Sequence, residues 1–198
     1  MKKYVRDYVC SPPNTHHMKK FLRALGILLL LLVIVTLGLI AFAPQQYTLE
    51  RSVTVNAPQA AVFTHMTHFK QWPAWTAWAE MDPTQKTTFS GADGTPGSTY
   101  HWTGEEVGEG EMTNTSVTPN TMNYKLDFIK PFEAHNTGWV KAEPAGNGTK
   151  ATMGMVMSSP RPFNAIGWLF KGSVGDDFEK SLNKLKTGVE RGTLTAKL

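Results

Sequence analysis

The side chains capable of chemistry in this sequence are few, and their spacing limits what they can do. His65 and His68 are three residues apart, so on a helix both imidazoles share a face and form half of a metal site. No carboxylate follows at helical spacing, and the pair reads as two histidines on a solvated face. Glu105, Glu106, Glu109 and Glu111 gather carboxylates of the kind that general acid–base catalysis uses in pairs. Adjacent residues in a turn point apart, however, and Glu109 and Glu111 fall on the polar face of a strand. A solvated acidic edge is the expectation. His101 and His135 also fall on strands, His101 opposite Tyr100, and both are expected to be exposed. Gly108-x-Gly110 lacks the helix and the Lys-Ser/Thr of a phosphate loop, and no Ser–His–Asp arrangement is visible. No catalytic residue, no metal ligand and no cofactor is assigned.

A second set of residues is apolar and better ordered. By alternation, Trp75, Trp78, Tyr100, Trp102 and Met112 point to one side, as do Tyr124, Phe128, Met153, Met155 and Met157. Asn114 falls on the same face and, with the Tyr100 and Tyr124 hydroxyls, supplies a few polar tips. Apolar walls with sparse polar groups are the lining of a small-molecule pocket, and methionines adapt to irregular ligands. Phe170, with Phe163, Trp168 and Leu169 in the segment 160–172, reads as a lid over such a pocket or as a contact with a bilayer.

The elements that must position these residues follow from periodicity. Tyr47–Asn56 alternates as a half-buried strand, with Arg51 an exception on its apolar face. Pro58 opens a helix carrying Val62, Met66 and Phe69. Half of the six tryptophans then stand at 72, 75 and 78, a spacing that suits one short helical turn with the indoles on one side. From Lys86 to Ser159 strands and turns alternate, consistent with an antiparallel meander. Val174–Arg191 is the clearest helix, with Val174, Phe178, Leu182, Leu185 and Val189 in one stripe. A sheet with one apolar face and a long helix across it is a two-layer α+β domain.

Upstream, Ala24–Ala43 carries no charged residue, and as a helix it rises ~30 Å, the thickness of a hydrocarbon core. It reads as one transmembrane anchor. The rival is a cleavable signal ending at Ala41-Phe42-Ala43, opposed by the length of the run and by Pro44. Residues 1–23 carry a net charge of +5 and residues 44–198 a net charge of −1. The basic character therefore belongs to the tail. It sets the N-terminus in the cytoplasm and the domain on the far side, the periplasm of a Gram-negative cell. The domain itself lacks the basic face of a nucleic-acid binder. The tail is expected either to be unstructured or to precede an internal start at Met18. The only cysteine is Cys10, so the domain has no disulfide.

The order of these elements, carried by particular residues, resembles the SRPBCC (START-like, polyketide cyclase/dehydrase-like) superfamily, in its bacterial membrane-anchored branch. Those residues are Trp72-Pro73-Ala74-Trp75 with Asp82-Pro83, Tyr100-His101-Trp102-Thr103-Gly104, Gly108-Glu109-Gly110-Glu111-Met112, Phe128-Ile129-Lys130-Pro131 and Asp177-Phe178-Glu179-Lys180-Ser181-Leu182. The resemblance implies a helix-grip fold at 46–191, in which a curved antiparallel sheet wraps the C-terminal helix around a cavity. Residues 192–198 form a tail. Met153 stands where the resemblance leads one to expect tryptophan. The implied function is binding of an apolar small molecule or lipid by a domain tethered to the membrane through Ala24–Ala43. Two other functions remain open: a cyclase/dehydratase enzyme using the tyrosines as acids, and a protein-interaction module docking through exposed tryptophans.

Overall fold

The computed structural model describes residues 15–131 and 133–194. The expectations for residues 1–14, including the unstructured tail, and for residues 195–198 lie outside that range. The chain divides into two units, one ending at Phe42 and one beginning at Ala43.

The first unit is helix α1, Thr15–Phe42. It starts upstream of the uncharged stretch and takes in Lys19, Lys20 and Arg23, all good helix formers. From Met18 to Phe42 it is long and apolar enough to cross a membrane. The Thr36 hydroxyl donates to the Leu32 carbonyl at 2.8 Å, so the one hydroxyl of the apolar run is satisfied within the helix. Ala43, expected as the last anchor residue, instead belongs to the second unit and is buried there.

That second unit begins with β1, Gln46–Val55, and α2, Gln59–Thr67. Two short 3-10 turns follow, Phe69–Ala74 and Ala77–Glu80. Then come β2 Lys86–Ser90, β3 Thr99–Gly104, β4 Gly108–Val117, β5 Thr121–Lys130, β6 Ala134–Ala145 and β7 Gly148–Ser158. The unit closes with α3, Asn164–Glu190. All seven strands form one antiparallel sheet in the order β1-β7-β6-β5-β4-β3-β2. It is a meander whose last strand pairs with its first, as alternating strands with short turns dictate.

Alternation is kept along β1: Gln46, Thr48, Glu50, Ser52 and Thr54 face solvent while Leu49 and Val55 are buried. Arg51 lies on the inner side after all, where its guanidinium covers the backbone of Gly175 in α3. α3 packs on β1 and β7, and α2 on β6 and β7. Phe178, Leu182 and Leu185 bury the expected stripe. Fully burying a side chain of this size contributes ~1.5–3 kcal/mol. Polar ties set the pitch of α3: Lys186 Nζ donates to the Thr54 carbonyl at 2.7 Å, and the Ala77 amide donates to Ser181 Oγ at 2.8 Å.

α3 begins about ten residues before the expected start at Val174. The segment 160–172 is therefore not a separate lid; most of it is the first turns of this helix. The tryptophan segment is corrected too. Trp75 leaves helical geometry at φ −132° and Thr76 is extended, so one expected turn becomes two.

Candidate ligand cavity

Between the concave face of the sheet and α3 lies a cavity of about 450 Å³, partly open to solvent. Pockets of ~300–1,000 Å³ suit small-molecule ligands. Its deep wall is Trp72, Tyr100 and Tyr124, all nearly inaccessible from outside. Its floor is Met112, Leu126 and Met155, and its rim is formed by Met81, Glu106, Val107, Phe128, Met157 and Val174.

Two glycines explain why the hollow is not closed by its own aromatics. Tyr124 faces Gly138 across β5 and β6, and Trp102 faces Gly110 across β3 and β4. In each pair the ring lies directly over the glycine, in the space a Cβ would occupy. The rings thus lie back against the sheet rather than projecting into the hollow. This is the close approach that a glycine inside a strand permits. Other aromatics brace them: Trp72 meets Tyr124 edge-on with centroids 5.5 Å apart, and Phe89 stacks on Tyr100 at 5.1 Å.

The polar groups in the cavity are sparse. Gln85 Nε2 donates weakly to the Tyr100 hydroxyl at 3.4 Å. Burial raises the pKa of Tyr100, partly offset by that hydrogen bond, and burial alone raises that of Tyr124 strongly. Both phenols are neutral at physiological pH and available as hydrogen-bond donors. Trp102 Nε1 reaches toward the Val107 carbonyl at 3.4 Å, and Thr76 Oγ1 donates to the Trp72 carbonyl at 2.9 Å.

Of the eleven residues assigned from sequence, Trp78, Tyr100, Trp102, Met112, Tyr124, Phe128 and Met155 line the cavity. Four do not. Trp75 is fully buried elsewhere, its indole N–H donating to the His65 carbonyl at 3.2 Å. The break at Trp75 turns its ring away, while Trp72, expected on the same side as Trp75 and Trp78 but not assigned to the lining, stands on the cavity wall. Met153 is packed in the core one pair deeper than Met155. Asn114, paired across the sheet with Tyr124, is buried beyond the lining, and neither of its side-chain polar atoms has a hydrogen-bond partner among the described residues. Phe170 is 62 % exposed on α3, because the helix starts early and carries it outside the grip. Thr76, Met81, Gln85, Val107, Leu126 and Val174 also line the cavity. Leu126 and Val174 were visible as apolar positions of the right face, whereas nothing in the loop residues marked them.

Of the carboxylates and histidines considered for chemistry, Glu106 stands on the cavity rim and the others lie elsewhere. His65 is buried rather than solvated, and that burial lowers its pKa. Among the described residues no three His, Cys, Asp or Glu side chains gather as a metal site. Glu109 is not simply solvated: it pairs with Lys130 at 2.7 Å and with His101 at 3.4 Å on the outer face. His135 lies 2.7 Å from Asp127, also outside.

One side of the rim is held by a single carboxylate. Asp82 accepts from the Thr84 hydroxyl at 2.6 Å, the Thr84 amide at 2.8 Å, the Glu106 amide at 2.8 Å and the Val107 amide at 3.2 Å. It thereby ties the β3–β4 turn to the segment before β2. The Thr84 hydroxyl, with the three amides, outweighs burial and depresses the pKa from 3.8 to about 2. A depressed folded pKa means that the clamp contributes fully above 3.8 and is lost as pH falls through about 2. Asp82→Ala is expected to abolish hydrogen-exchange protection of the Glu106 and Val107 amides at neutral pH. The wild-type chain loses the same protection only on acidification to that range.

The comparisons agree with this geometry. A family model described as polyketide cyclase/dehydrase and lipid transport matches residues 46–190. No curated protein matches the chain. Among solved structures, a protein from Thermobifida fusca superposes with a TM-score of 0.56 at 22 % identity, covering 73 % of this chain and 93 % of that one. The KanY protein superposes with a TM-score of 0.56 at 14 % identity over 73 % and 98 %. Ara h 8.0201 gives a TM-score of 0.50 at 16 % identity over 73 % and 97 %. At these identities the likeness is one of fold. With the sheet, the gripping helix and the cavity in place, and the family match running from β1 to the end of α3, this chain belongs to the polyketide cyclase/dehydrase and lipid transport family of the SRPBCC superfamily.

Proposed function

We propose that this protein is a membrane-tethered binding protein that holds one apolar small molecule or lipid in the cavity beneath α3. The observation carrying this reading is the hollow itself. It is large, partly open and lined almost wholly by aromatic, Met, Leu and Val side chains. Transfer of apolar surface from water into such a lining contributes ~25 cal/mol per Å². Tyr100 and Tyr124 fix the pose by donating neutral hydrogen bonds. The family description, with its lipid transport, supports the same ligand class.

Tethering is supported by α1. Its apolar residues are exposed along nearly its whole length, its hydroxyl is internally satisfied, and Lys19, Lys20 and Arg23 cluster at one end. Positive charge at that end favours a cytoplasmic N-terminus and a domain on the opposite side of the membrane.

The test is native mass spectrometry of the full chain purified in mild detergent, followed by organic extraction. The expected result is a stoichiometric apolar adduct in the wild type. Tyr124→Phe should weaken retention of that adduct by about tenfold, one charge-neutral hydrogen bond in a dry site. An adduct-free protein that also takes up no hydrophobic fluorophore would refute the reading.

A further inference from the structure

We infer that the first half of α3 is a lipid-contacting surface that seats the mouth of the cavity on the bilayer, so that the ligand enters from the membrane. The inference rests on the reading of α1 as an anchor. Phe163, Ile166, Leu169 and Phe170 are each more than half exposed, and Trp168 is 37 % exposed. On a helix these first four form one stripe, and Val174, a turn beyond Phe170 on that stripe, lines the cavity. The stripe thus runs from open surface to the mouth. A contiguous apolar patch of this kind marks an interaction surface.

Three observations commit the patch to lipid. The first is connectivity. Asn164 Nδ2 donates to the carbonyl of Ala43 at 2.7 Å, and the Tyr47 hydroxyl donates to the Gly167 carbonyl at 2.6 Å. Ala43 is one peptide bond from Phe42, the last residue of α1. These ties hold the patch at the point where the chain leaves its apolar helix, whichever way that helix points. The second is topology. The antiparallel register puts the start of β1, the ends of β5 and β7 and the β3–β4 turn at one end of the sheet. The rim residues Glu106, Val107, Phe128 and Met157 lie at that same end, as does Ile129, which is 45 % exposed. The third is charge. Residues 160–175 contain Arg161 and Lys171 and no acidic side chain. Lys171 Nζ sits 5.3 Å from the Trp168 ring. A tryptophan with a neighbouring cation suits the headgroup layer, where anionic lipids attract Lys and Arg.

Spin labels on the full chain test this. In a Cys10→Ser background, Ile166→Cys and Phe170→Cys are labelled, with Leu30→Cys in α1 and Lys150→Cys at the opposite end of the sheet as references. The protein is reconstituted in phosphatidylcholine vesicles containing phosphatidylglycerol. Collision with oxygen, which partitions into lipid, is compared with collision with an aqueous nickel chelate. Labels at 166 and 170 are expected to shift to the oxygen-favoured values of the label at 30, while that at 150 stays nickel-favoured. If 166 and 170 match 150 while 30 is oxygen-favoured, the docking surface is refuted and the anchor stands. If 30 is itself nickel-favoured, the anchor reading fails and takes the inference with it. Labels at 166 and 170 shielded from both probes and broadened by a neighbouring spin would show a second copy on this face, and would overturn the lipid assignment.

Discussion

Phe178→Ala lowers the free energy of unfolding by about 3–5 kcal/mol, the range for deleting a fully buried aromatic ring. Phe178 has no accessible surface and sits at the centre of the α3 stripe with Leu182 and Leu185. Its ring meets Trp78 edge-on, centroids 5.7 Å apart and planes at 88°. Truncation therefore removes two kinds of support: the seat of α3 on the sheet, and the backing of a cavity wall residue. Denaturant unfolding of the full chain in detergent, followed by tryptophan fluorescence, measures the first. Phe178→Leu keeps most of the buried volume and should recover most of the loss. A neutral Phe178→Ala would mean that the stripe does not face the sheet.

Met155→Trp is expected to lower ligand affinity by more than about tenfold, or ~1.4 kcal/mol, while leaving the chain folded. Met155 lines the cavity together with Trp72 and Val174. An indole there occupies volume that the ligand would use. Overpacking a filled core costs ~1–3 kcal/mol, but here the added atoms enter open space, so the folding penalty should fall at the low end. Retention of a co-purified apolar adduct, read by native mass spectrometry beside the unfolding midpoint, separates the two effects. Unchanged retention in a folded Met155→Trp protein would remove the cavity from the binding reaction.

How much of the site was legible depends on the element that carries each residue. Tyr100, Trp102, Met112, Tyr124, Phe128 and Met155 are on strands, where a period of two assigns the face from sequence alone. Trp75 was misplaced because it lies where two short turns meet, and periodicity says nothing across such a break. Phe170 was misplaced for a different reason. Gly167 and Gly172 weaken a helix signal, and only packing against β1 and the tie from Tyr47 bring those turns into α3. Alternation also cannot measure depth. Met153 and Asn114 share the inner face with the lining, yet lie too deep to reach the hollow.

The local sequence determined the apolar helix, the strand faces and the α3 stripe, because each is a matter of composition or period along one segment. Whether the inner face would close on itself was decided by tertiary structure alone. That outcome depends on Tyr124 lying over Gly138 and Trp102 over Gly110, pairs set by register between strands. It depends as well on Asp82 holding a turn 24 residues away. Contacts between distant segments fix how much volume is left over, and no periodicity within one segment contains that quantity.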